Sequence, residues 1–333
     1  MSGDRAVVGS LVVLLLVTAA CGGKSISAPD LGRTVLADGA RVYVYPEHKE
    51  KDGWYPARPS QLWAKPPGDA PARQLTFGSA SVADPVVLDD GRVLFVSAMP
   101  PSLSSPGTRL ALFAVNSDGT GVLPYACQHD GAPWVRQPRE LPEGIVAFRA
   151  SDSPGGQERW ESVLSGRPFA SRGPLPAALV KEAENPGPRA SMPMGRLSTV
   201  DPSKKTGILL CLDARRNSES GSPLTVARVR ILAGQAGRAE SLGEVPLAAD
   251  GSFLAEVPAD VPLGIQALDE QGGVVRTLAP WIWVRPGESR GCIGCHERHG
   301  VAPRNQRPLA VKGPPVKLAL PAALAEVRTR GGM

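Results

Sequence analysis

Short runs of alternating apolar and polar residues dominate the chain, each bounded by a turn containing Gly or Asp. Three runs in the first half share one layout: ADGARVYVY (Ala37–Tyr45), DDGRVLFVS (Asp89–Ser97) and PEGIVAFRA (Pro142–Ala150). Each is a turn followed by a strand-like alternation of period two. Their turn glycines, Gly39, Gly91 and Gly144, stand 52 and 53 residues apart. A second strand follows in the first two units, QLWAKPPGD from Gln61 and ALFAVNSDGTG from Ala111. The runs DPVVL, from Asp84, and QPREL, from Gln137, are again 53 residues apart. A fresh series begins at Thr206: TGILLCLD, TVARVRIL from Thr225, LGEVPLA from Leu242, SFLAEV from Ser252, GIQALD from Gly264 and VVRTLAPWIWV from Val274. ADG at Ala249 and DEQGG at Asp269 supply turns between these strands.

The first half therefore predicts a repeat with a period near fifty, the mark of propeller blades. Three units fall short of a closed ring, which takes at least four blades. Residues 34–180 are read as partial β-propeller repeats, with a plain antiparallel meander as the alternative. Residues 181–205 are rich in Pro and Gly and read as a connector. The six strands that follow predict a small β-sandwich over 206–290, leaving 291–333 as a short C-terminal tail. Composition agrees with a mainly β chain: 34 Pro and 37 Gly in 333 residues favour short strands and many turns. The net charge of +5 is spread out, without basic runs or interleaved aromatics, so nucleic acid is not an expected partner.

The beginning of the chain has a different pattern. Arg5 precedes an apolar run from Ala6 to Ala20 that is too short to span a bilayer and fits the core of an export signal. Ala19 and Ala20 before Cys21 predict a bacterial lipoprotein: a signal peptide over 1–20, a lipid on Cys21, and a linker over 21–33. Thr18 is an unusual residue three places before such a cysteine, so a plain secretory signal is the alternative. Either way the chain is exported, and a lipid would tie it to a bilayer on the periplasmic or outer side of the envelope.

The chemistry concentrates in RGCIGCHERHG, Arg290–Gly300. Cys292-Ile-Gly-Cys295-His296 is the CxxCH attachment pattern of c-type haem. Two thiols three positions apart on a tight turn can each add to a vinyl group of one porphyrin, and the next imidazole then ligates the iron. A zinc site needs four ligands, and the remaining cysteines, Cys127 and Cys211, are isolated. A dithiol redox pair of thioredoxin type needs a βαβ context that the pattern lacks. One covalent haem is thus expected on Cys292 and Cys295, with His296 on the iron.

The sixth ligand is open. His299 is too near His296 to cross the porphyrin plane. The candidates are His129, His48, Met99, Met192 and Met194, beside an open position that would admit small ligands. Trp281 and Trp283 share one strand face, either walling the haem edge or filling the sandwich core. Cys127 and Cys211 either form a disulfide in an oxidising compartment or, as their different domains favour, stay separate buried thiols.

The motif LFAVNSDGTG resembles the blade ends of TolB-type propellers. DGSFLAEVPADVPLGIQALDEQGGVVRTLAPWIWVRPGESRGCIGCHE, Asp250–Glu297, resembles the hydrazine synthase alpha subunit family. So do RLSTVDPSKKTGILLCLDARR from Arg196 and APRNQRPLAV from Ala302. The resemblance implies a propeller, a middle β-domain and a haem-bearing part, with Cys292, Cys295 and His296 holding the haem. The hydrazine-forming subunit uses two haems, whereas this chain has one CxxCH and a short tail, so the resemblance does not extend to hydrazine synthesis.

The expected function is electron transfer by an exported, lipid-anchored monohaem cytochrome to a redox partner in the cell envelope, rather than stand-alone catalysis. Two alternatives are a haem enzyme or sensor acting on a small nitrogen or oxygen species, and a propeller-based interaction subunit of an envelope redox complex.

Overall fold

A computed structural model describes residues 34–45, 60–99, 108–128, 131–164, 172–189, 192–217, 223–235, 238–296 and 305–321, with the backbone alone at 217, 235, 238, 279–281, 295 and 296. The fold is mainly β, built from several sheets, with one short α-helix among the described residues.

Three antiparallel meanders follow one another. The first joins β1 (Arg41–Tyr45), β2 (Gln61–Lys65) and β3 (Arg73–Gln74). The second joins β4 (Val82–Val87), β5 (Val93–Met99), β6 (Arg109–Val115) and β7 (Leu123–Ala126). The third joins β8 (Trp134–Leu141), β9 (Ile145–Ser151), β10 (Arg159–Leu164) and β11 (Gly173–Pro174). β4 packs on β1, β2 and β8, so the three sheets stack in chain order. Leu62, Leu94, Leu112, Val135 and Phe148 fill one core between them. β5 and β6 are buried on both faces, which explains why VLFVSAM and RLALFAV read as near-continuous apolar runs. The repeat is visible in the backbone: Gly39, Gly91 and Gly144 have φ of 79°, 83° and 72°. Among the described residues these meanders do not close into a ring.

Helix α1 (Ala177–Glu184) covers Leu141 and Ala147 through Ala183, Leu179 and Val180. The following residues run as a strap across the second meander. Arg189 pairs with Asp89 at 3.0 Å, Met194 N–H donates to the Asp89 carbonyl at 2.8 Å, and Arg196 reaches the Asp90 carbonyl. The connector is therefore fastened to the second meander at Arg189, Met194 and Arg196.

The second unit uses β12 (Thr206–Asn217), β13 (Arg228–Gln235), β14 (Arg238–Pro246), β15 (Phe253–Pro258), β16 (Leu263–Leu268), β17 (Val274–Ile282), β18 (Ser289–His296) and β19 (Val316–Lys317). Two four-stranded sheets, β18-β12-β15-β19 and β14-β13-β16-β17, share a core of Leu209, Val229, Ile231, Val257, Leu263, Ile265 and Val284. All six strands expected between Thr206 and Val284 are present. Two more come from the stretch read as a tail: β18 lies parallel to β12 and β19 parallel to β15. Asp250 accepts from Leu309 N–H at 2.7 Å and Ser252 Oγ from Ala310 N–H at 3.0 Å, which docks the tail on this sheet.

Candidate functional site

The CxxCH residues close β18, an edge strand whose start is anchored to both units. At its root, Glu288 is buried and accepts from two backbone donors, Gly121 N–H at 2.8 Å and Arg285 N–H at 2.6 Å. Burial raises the Glu288 carboxyl above its ordinary value, against the pull of these hydrogen bonds. Arg285 pairs with Asp260 at 2.9 Å and lies over the Phe77 ring, and burial lowers its pKa. Two residues beyond Glu288, Arg290 donates to the Val122 carbonyl.

All these anchors meet one turn of the second meander, Asn116–Val122. It is the NSDGTG turn that the sequence presents as the end of a repeat unit. Its Gly119 carbonyl accepts from Trp283 Nε1 at 2.9 Å. Asp118 accepts from Thr120, Ser198 and Thr199; burial opposes its ionisation, yet these hydrogen bonds outweigh burial and hold the carboxyl below its ordinary value. The turn thus ties the strap, the end of β17 and the root of β18 together.

Trp283 corrects one expectation. It is not part of the second core, and it lines a cavity with Met99, Phe95 and Phe113. Its indole is buried in the core of the first unit, edge-on to Phe77. The side chain of Trp281 lies outside the described residues.

The backbone of the motif also differs from the expected tight turn. β18 is extended through residue 296 because β12 offers it a parallel partner, with Cys211 opposite Cys292 and Asp213 opposite Gly294. Cys292 packs against the second core, and burial pushes its thiol pKa up despite the neighbouring Arg290. An extended strand separates positions 292 and 295 by roughly 10 Å. Two thiols and an imidazole suit haem c as a donor set, and the backbone carries all three on an extended edge strand.

The remaining candidates are scattered. Met99 is buried in the first core, and Met192 and Met194 are exposed on the strap. Cys127 lies in the first core and Cys211 in the second, so a Cys127–Cys211 bond is not formed here. His48, His129, His299 and Cys21 lie outside the described residues, as do the side chains of Cys295 and His296. Among the described residues no cluster of His, Cys, Asp and Glu is arranged to hold a metal ion, and no helix is long and apolar enough to cross a membrane. Glu288, Arg290 and the Asn116–Val122 turn were missed as positioning elements. Their pairing partners lie more than 160 residues away, with only the Asp-Gly turn itself as a signal.

The strands leading into the motif match a known family model. Residues 216–297 match the hydrazine synthase alpha subunit middle domain. Over 47 residues the chain is 43% identical to hydrazine synthase subunit alpha of Kuenenia stuttgartiensis, covering 14% of this chain and 6% of that protein. The solved Kuenenia stuttgartiensis hydrazine synthase superimposes with a TM-score of 0.66 at 15% identity, covering 82% of this chain and 54% of that one. The fold likeness thus extends well outside the middle domain, while this chain spans only about half of that structure. A puromycin-hydrolysing peptidase from Mycobacterium tuberculosis aligns with a TM-score of only 0.27 at 14% identity, covering 78% of this chain and 42% of that one.

Proposed function

We propose that this chain is an exported c-type cytochrome, anchored through a lipid on Cys21, that carries one haem on Cys292 and Cys295 with His296 on the iron. The observation that carries the reading is the CxxCH at the end of an edge strand within the middle-domain match. An edge strand can leave its sheet by breaking pairing on one side only, which gives the motif a route to the compact form that attachment requires. The haem iron would supply one-electron redox chemistry, exchanged with a protein partner in the cell envelope. Arg290 and Glu288 would hold the root of the motif in place, and the three meanders, as blades of a partial propeller, would provide the rigid body to which it is fixed.

Co-expression with haem-attachment machinery tests this directly. The mature protein should give a pyridine haemochrome spectrum equivalent to one covalent haem per chain. Cys292→Ser and Cys295→Ser should each change that spectrum, and the double variant should abolish it. A natively produced chain without covalent haem overturns the proposal.

A further inference from the structure

Cys211 and Cys292 face one another across the strand pair β12–β18, in register. Cys211 is fully buried in the second core, and Cys292 packs on that same core from the edge strand. Neighbouring strands run about 4.8 Å apart, inside the window of roughly 4.4–6.8 Å between Cα atoms that a disulfide spans. The other cysteines are less well placed. Cys127 belongs to the core of the first unit. Cys295 follows Cys292 on the same extended strand at roughly 10 Å, beyond the limit of about 7 Å for bridging without backbone movement.

We propose that Cys211 and Cys292 form a redox-convertible pair that closes to a disulfide in the haem-free chain. The oxidant is a low-molecular-weight disulfide. Each cysteine thiol gives up its proton, and one S–S bond forms between Cys211 and Cys292. The S–S bond of the oxidant breaks, and the oxidant takes up two electrons and two protons to leave as two thiols. The closed bridge ties β18 to β12 at the first cysteine of the CxxCH. Resting on the haem reading above, a consequence follows: the oxidised chain has no thiol at 292 to add to a vinyl group, so attachment requires prior reduction of this bond.

The test uses the full chain exported in a host without c-haem attachment machinery. The protein is treated with oxidised or reduced glutathione, denatured, alkylated and mapped by mass spectrometry without reduction. The expected result is a peptide joining Cys211 to Cys292, two hydrogens lighter than the separate thiols, with joint loss of alkylation at both. The reduced sample should be labelled at both. In Cys211→Ser, alkylation of Cys292 should return. Full labelling of Cys211 and Cys292 after oxidation overturns the proposal, as does a Cys292–Cys295 bridge or continued protection of Cys292 in Cys211→Ser. A chain that forms the bridge yet never acquires haem under attachment conditions refutes the cytochrome reading alone.

Discussion

Asp84 and Gln137, 53 residues apart, hold the same place in two successive sheets and are bonded to each other: the Asp84 carboxylate accepts from Gln137 N–H at 2.7 Å. Both residues are left-handed, with φ of 48° and 49°, and both precede a proline at a register break in the opening strand of their sheet. Each break sets two residues, the second a proline, against one on the neighbouring strand, and the carboxylate of one unit satisfies an amide of the next. The repeat in sequence is thus a repeat of backbone bulges, stitched unit to unit.

Replacing Asp84 separates the hydrogen bond from the backbone conformation. Asp84→Asn keeps an acceptor and tolerates positive φ, so its stability in urea should stay within about 0.5 kcal/mol of the parent. Asp84→Val loses the acceptor and places a β-branched residue in the left-handed region, costing about 2–3 kcal/mol. Equal stability of the two variants would show that the stitch contributes nothing.

Trp283 couples the two units. It follows β17 directly in sequence, yet its indole is buried in the first core and donates to the Gly119 carbonyl. Trp283→Phe retains most of the apolar area and should cost about 1–2 kcal/mol, chiefly the lost hydrogen bond. Trp283→Ala opens a large cavity and should cost about 3–5 kcal/mol. In calorimetry, Trp283→Ala should also broaden the unfolding transition, because one of the ties between the units is gone; a transition as sharp as the parent's would contradict this coupling.

Much of this architecture was legible from spacing. The six strands from Thr206 to Ile282 were readable because polar turns punctuate them and inward positions alternate, as in the buried Phe253, Ala255 and Val257 of β15. Strand β18 was not. The CxxCH pattern made its sequence read as a tight turn, whereas the parallel partner β12 and the anchors at Glu288 and Arg290 hold it extended. Helix α1 was hidden between prolines and depends on packing over Leu141 and Ala147. The destination of Trp283 was invisible for another reason: alternation tells which residues share a strand face, not which of two cores that face meets.

Glu140 predicts a pH dependence of stability. Burial pushes its carboxyl up to about 7, with the Asp89 and Asp90 charges adding to the rise and Arg189 opposing it. In the unfolded chain the group titrates near its ordinary value of about 4.3. Between these values the folded protein holds a proton that the unfolded chain has released, so rising pH weakens folding across that window and has no further effect through this group above it. Glu140→Gln should therefore flatten the fall in urea stability from about pH 5 to about pH 8 and gain on the order of 1 kcal/mol at the upper end. Glu288 is shifted in the same direction, so part of the slope should persist. An unchanged slope in Glu140→Gln would exclude Glu140 as its source.

Two glycines with similar backbone angles should respond very differently to alanine. Gly68 has φ of 69° and open space where a Cβ would go, so Gly68→Ala pays only the left-handed penalty of about 1–2 kcal/mol. Gly91 has φ of 83°, and a Cβ there would lie 2.1 Å from the Met194 carbonyl oxygen and 3.2 Å from Arg196 Cγ. Those are the strap residues that hold the Asp89–Asp90 turn through Met194 N–H and the Arg196 guanidinium. Gly91→Ala must push the strap away and lose these hydrogen bonds as well, for a total of about 3 kcal/mol or more. Limited proteolysis supplies the second readout: cleavage between residues 189 and 199 should accelerate in Gly91→Ala and stay at the parental rate in Gly68→Ala. Matching stabilities and digestion rates for the two variants would mean that the strap does not bear on this turn in solution.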